Sequence, residues 1–436
     1  MEISNAIREY DNDRLLHYLQ EDIENKGKHE DLMQMCTCPY DSNDWDRYDD
    51  HEKSCTSLQL ALYHNKSEEV IFKMMDIGGR ELIIKESEVG STALHFAYRS
   101  KNIASPNVIS KLTAVGGREM VMKKNIMEKT VLHKACKSES ATSLDIVAEI
   151  IEVGGRELVM EKNCYGYTAL HYALENKNSS VDILLKLIEL GGREIVMEKE
   201  ENGNNALHFA VKYRITSLQI ILLLIETGGR KIVMEKSNYG FTSLHYACEN
   251  INASTSLDVI TKLIELGGRG LAMVNNQQGC NALHYACRNR NSSLDIITKL
   301  LEVGGRELVM TTNNHHGYTA LHYACDNKNI NTDIISNLIQ VGGRELVMTD
   351  NDNGSTALHI TCRNEYHTTP DIILKLMEVG GRELVMKKNT FKNTALHFAC
   401  QNRSILPDIV LKLIEIGGRE LVMMNTLLGK QLYIGK

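Results

Sequence analysis

The eight residues VGGRELVM stand at 153–160 and return, letter for letter, at 303, 341 and 379. A phrase repeated at a fixed period constrains the fold more than composition does. Each copy is too short to bury its own apolar face, so copies must stack on one another. Gly-Gly-Arg begins ten times, from Gly78 to Gly417, at spacings of 37 to 39 residues. A second phrase keeps step with it: the position of Thr in TALHYA falls at Thr56, Thr92, Thr130, Thr168, Asn205, Thr242, Asn281, Thr319, Thr356 and Thr394. Ten copies of one unit are therefore expected over residues 54–425, preceded by residues 1–53 and followed by a tail, 426–436.

The copy that starts at Asn281 shows what each unit is. Leu283, Ala286 and Cys287 share one helical face, which predicts a short helix over 282–289. Ser293 followed by Leu294 and Asp295 reads as a hydroxyl N-cap with an acid in the first turn. Three other copies place Pro106, Pro370 and Pro407 where this one has Leu294, and proline suits the first position of a helix. The second helix is expected from Asp295 to Val303, with Ile296, Ile297, Leu300 and Leu301 buried and Gly304 as its left-handed cap. An extended arm, Glu307–Met310, and a polar tip ending at Gly317 complete the unit.

Helix, turn, helix, glycine cap, hairpin region and T-x-L-H-x-A resemble the ankyrin repeat, over about 85% of the chain. The units depart from that pattern in three ways. Ala, Val or Ser replaces the proline after Thr, two extra residues lengthen the turn between the helices, and about three lengthen the hairpin region. Both insertions fall in loops, where added length costs little. The resemblance implies an all-α solenoid with short β-hairpin loops between helix pairs. It also implies a protein–protein interaction scaffold or adaptor that binds through a concave surface of hairpins and first helices.

Composition agrees and excludes other classes. The chain is 43% hydrophobic, 24% charged and 6% aromatic, with net charge −7, so it has material for a long core and no basic excess for nucleic acid. No apolar run reaches the roughly 20 residues needed to cross a bilayer, and the start is no signal peptide, which points to the cytoplasm, or the nucleus, and to no membrane partner. Eleven Cys, six of them in one recurring phrase, read as small core residues in a reducing compartment.

Several features invite a sharper chemistry. Gly-Gly-Arg follows a helix instead of preceding one, so its glycines face an electronegative helix end and make no phosphate cradle. The ten arginines, mostly followed by Glu, are expected to form a solvated, self-paired ladder. The nine histidines from His95 to His397 recur once per unit. Neighbouring copies would stack at roughly 8 to 10 Å, too far for two rings to share an ion, so they are read as structural hydrogen-bonding residues. No nucleophile and base pair up, so no enzyme, catalytic residue, cofactor or metal site is expected.

Residues 1–27 read as a capping helix pair. Residues 28–53, with eight acids against three bases, read as an acidic, flexible insertion. That insertion and its border hold Cys36, Cys38, His51 and Cys55, which leaves a metal-binding or enzyme-associated adaptor as the alternative function. Specificity for a partner protein should lie where the copies differ, at the tips: Tyr165, Tyr167, Tyr239, Phe241, His315, His316, Tyr318 and Phe391. The last copy keeps an interior pattern, with Ile409, Val410, Leu413 and Ile414, and only a short tail follows. Weak self-association through that end is therefore expected.

Overall fold

The structure is a computed structural model that describes residues 3–24, 29–36, 54–98, 103–138, 144–213, 217–251, 256–329, 331–364 and 370–424. It falls into two compact units, Met1–Gly228 and Gly229–Lys436.

The first unit opens with α1 (Ile3–Glu9) and α2 (Asn12–Tyr18), and a π-helical turn runs on through Leu19–Glu24. The Asp11 side chain accepts the Arg14 N–H at 2.9 Å and caps α2. Ile3, Ala6, Ile7, Leu15 and Leu19 are buried. The stretch expected as an acidic insertion begins with structure: α3 (His29–Met33) buries Leu32, and β1 (Met35–Cys36) pairs antiparallel with β2 (Cys55–Thr56). The Ser57 hydroxyl donates to the Leu32 carbonyl at 2.6 Å, tying α3 to the first repeat. Residues 37–53 and the tail, 426–436, lie outside the described residues.

From Ser57 the described chain is a succession of helix pairs. The first is α4 (Ser57–Tyr63) with α5 (Glu68–Ile84), and the last is Ala395–Gln401 with Pro407–Val422. In the copy read above, the first helix is Ala282–Arg288 and the second Leu294–Met310. Ser293 caps the second, its hydroxyl accepting the Ile296 N–H at 3.4 Å. Leu283, Ala286, Cys287, Ile296, Ile297, Leu300 and Leu301 are buried. The second helix packs on its counterparts Ser256–Ala272 and Thr332–Met348, so each pair is finished by its neighbours.

Gly-Gly-Arg differs from the sequence expectation. The helix does not stop at Gly304, which is helical and buried. The break is at Gly305, with φ 63° and ψ −156°, a region that only glycine occupies without strain. Arg306–Met310 then forms more helix, not an extended arm, and buries Leu308 and Val309. The two glycines serve different ends. A Cβ on Gly304 would lie 2.4 Å from Leu308 Cδ2, whereas one on Gly305 would meet only Arg269 Nη1, at an ordinary 3.8 Å, but the backbone there is closed to other residues. The same kink recurs at the second glycine of every copy from Gly79 to Gly418.

Candidate partner-binding loops

The loops between helix pairs are built around one polar side chain. In the copy preceding Thr168, the Asn163 N–H donates to Tyr167 O at 3.0 Å and Gly166 N–H returns to Asn163 O at 2.9 Å. Asn163 Oδ1 accepts the N–H groups of Tyr165 and Tyr167, and its Nδ2 donates to the Tyr172 hydroxyl at 2.9 Å. This closes a hairpin-type turn without strands. Asn276 and Asn313 do the same work in the second unit, each holding a tyrosine hydroxyl, of Tyr285 and Tyr323.

Neighbouring turns are then joined by backbone rungs. Cys164 N–H donates to Met127 O at 3.1 Å and Glu201 N–H to Tyr165 O at 2.9 Å in the first unit. In the second, Gln277 N–H donates to Tyr239 O at 3.0 Å and Asp352 N–H to His316 O at 3.0 Å. Each acceptor is the residue three before the Thr or Asn that caps the first helix. Its carbonyl is tied down, and its side chain is half-buried at Met127 and Tyr165 and exposed at Tyr239 and His316.

That position sorts the tip residues. Tyr239 is 55% exposed and Phe391 57% exposed, His316 and its neighbour His315 are exposed, and Tyr165 is half-buried. All but His315 stand three before the cap. Tyr167, Phe241 and Tyr318 stand one before it and turn inward. Tyr167 lies 5.2 Å from Tyr172 and 5.4 Å from Phe209 between ring centroids, Phe241 5.1 Å from Tyr246, and Tyr318 5.3 Å from Tyr323. Such ring pairs contribute to packing between copies. Sequence reasoning passed over Ile126, 67% exposed at an early tip, because an isoleucine there carries no signal beyond its hydropathy.

The histidines lie beneath these loops. In the copy at Thr319, the backbone N–H and the hydroxyl of Thr319 both donate to His322 Nδ1, at 3.1 and 2.8 Å. Its Nε2–H donates to Ser355 O of the following copy at 3.2 Å. The imidazole thus acts as the third-position partner of a capping box and ties one copy to the next. Burial pushes its pKa down to about 4, and those of His171, His245, His284 and His359 likewise, so the rings are neutral; His245, His284 and His359 also bond a carbonyl of the following copy through Nε2. In the first copy Gln59 takes the role: its Oε1 accepts Thr56 N–H at 2.9 Å, and its Nε2 donates to Lys85 O and Ser91 O.

Seven of the ten arginines form the expected ladder, each reaching a Glu of the next copy. In the first unit Arg80 pairs with Glu119, Arg118 with Glu157 and Arg156 with Glu194. In the second, Arg269 pairs with Glu307, Arg306 with Glu345, Arg344 with Glu383 and Arg382 with Glu420. Five of the six cysteines of the recurring phrase are core residues, and Cys400 in the last copy is half-buried. Burial pushes the Cys136 and Cys325 thiols up to about 12, and Cys248, Cys287 and Cys362 are also raised. Cys36 sits opposite Cys55 in the β1–β2 register, and both are buried; Cys38 and His51 lie outside the described residues. Among the described residues, no three His, Cys, Asp or Glu gather to hold a metal. Nor is any helix among them long and apolar enough to cross a membrane.

Helix pairs joined by tight turns, with side-chain bonds such as those of Gln59, His245 and His322 tying one copy to the next, define a helical repeat protein. A family model described as ankyrin repeats (3 copies) matches residues 103–197, 178–270, 251–346 and 328–422, and the chain belongs to that family. No curated protein matches it. Ankyrin repeats are in general protein–protein interaction modules.

Proposed function

We propose that this chain is a non-catalytic scaffold or adaptor that holds a partner protein against its loop tips and first helices, in the cytoplasm. The observation that supports it is the exposure of Tyr239 and Phe391, with His315 and His316, on turns whose backbones are fixed by side-chain hubs and rungs. Exposed rings on a rigid backbone lose little conformational freedom on binding, and aromatic residues dominate binding hot spots. Tyr165 extends the set in the first unit. Tyr167, Phe241 and Tyr318 contribute by holding the turns in shape.

The test compares wild-type protein with a Tyr239→Ser/Phe391→Ser variant as bait in quantitative affinity capture read by mass spectrometry. A specific partner should be depleted roughly tenfold or more with the variant, given that two hot-spot rings are removed. Helical signal and melting temperature should be unchanged. Equal capture by a folded variant would refute the assignment of the tips.

A further inference from the structure

The arginine–glutamate ladder has a step in the second unit where the glutamate is missing. At the seven complete steps, an arginine reaches the Glu that follows the next copy's Gly-Gly-Arg, as Arg344 reaches Glu383 at 2.6 Å. The residue that follows Arg269 is Gly270, so Arg230 finds no carboxylate there. It reaches only the Gly267 carbonyl, at 3.5 Å. Its neighbour Lys231 replaces the usual Glu with a cation. Both are exposed, and neither makes an ion pair among the described residues.

The fold does not require this glycine. Gly270 has no left-handed backbone, is exposed, and a Cβ there would meet only Met234 Cε, at 3.9 Å. Within a helix a glycine costs about 1 kcal/mol relative to alanine. The sequence thus carries a helix-weakening residue that leaves a guanidinium without its usual partner.

We propose that Arg230 and Lys231 form a docking point for an acidic segment of a partner protein, whose carboxylate takes the place that glutamate holds at the other steps. The complete steps show that this surface accommodates a carboxylate side chain at the arginine Nη2. A polyphosphate backbone fits less well, because the chain as a whole carries net charge −7. This inference is carried by residues other than the loop tips and stands independently of them.

The test uses the full chain and a fluorescent oligoglutamate peptide. Wild-type protein should bind it with an affinity that falls as salt rises. The variant Lys231→Glu/Gly270→Glu restores the carboxylates found elsewhere and should weaken binding by roughly tenfold or more. Arg290→Glu/Arg403→Gln makes the same net charge change at exposed sites elsewhere and should bind as wild type does. If the ladder-restoring variant does not fold, Arg230→Gln/Lys231→Gln answers the same question. Equal loss in the charge-matched control, no binding by wild type, or preference for a single-stranded oligonucleotide over the peptide would each overturn the proposal.

Discussion

A histidine that recurs once per copy reads in sequence as structural, metal-binding or catalytic, and its bonds decide for the first. His322 accepts at Nδ1 from its own cap and donates at Nε2 to the next copy, an arrangement open only to the neutral ring. Gln59 shows that an amide of similar reach does the same. His322→Gln should therefore cost less than about 1 kcal/mol, whereas His322→Ala, which strands a buried cap and a buried carbonyl, should cost about 2 kcal/mol or more in urea unfolding. The pH dependence follows from burial. Folded-state values near 4 for His171, His245, His284, His322 and His359, and near 3 for His133, lie below the unfolded value of 6.5. Below pH 6.5 the unfolded chain takes up protons that the folded chain refuses. Stability is present in full above that pH and is lost as pH falls toward 4, by roughly 1 kcal/mol per pH unit for each ring. Urea midpoints that stay level from pH 7 to 5 would contradict this.

At the scale of the element, the period placed the first helices, and in the copy at Asn281 the Ser293 cap and the buried stripe of the second helix, because side chains three and four apart must share a face. It did not separate Gly304 from Gly305. Two adjacent glycines look alike in sequence, yet one is chosen for lack of a Cβ against Leu308 and the other for its backbone angle. The arm after them was misread as extended because four or five residues are too few for a helical period to show. The tips were legible as places of variation but not as surfaces: Tyr165 and Tyr167 differ by two residues, and only the rung bonds show which carbonyl is held and which ring turns inward. One turn offers a direct check on this geometry. Lys392 occupies φ 60° where most copies have glycine, a conformation that costs a side-chain-bearing residue roughly 1 to 2 kcal/mol. Lys392→Gly should raise stability by about 1 kcal/mol in denaturant titration, and no gain would mean that the turn is relaxed as it stands.

For the molecule as a whole, charge and ends matter more than any copy. Residues 1–53 carry fifteen acids against six bases, while the chain totals −7, so the repeats are close to neutral. The last described helix pair in the second unit leaves Leu406, Leu411 and Met423 more than half exposed, apolar surface of the kind that marks a contact. Removing residues 426–436, which are rich in Leu, should increase self-association in sedimentation across a concentration series; a truncated chain that stays monomeric would show that this face needs no cover. The central claim concerns where a partner sits. Hydrogen–deuterium exchange on the chain alone and with its captured partner tests this most directly. The account predicts new protection at 237–241, 313–318 and 389–393. Protection confined to the second helices, with those turns unchanged, would contradict it.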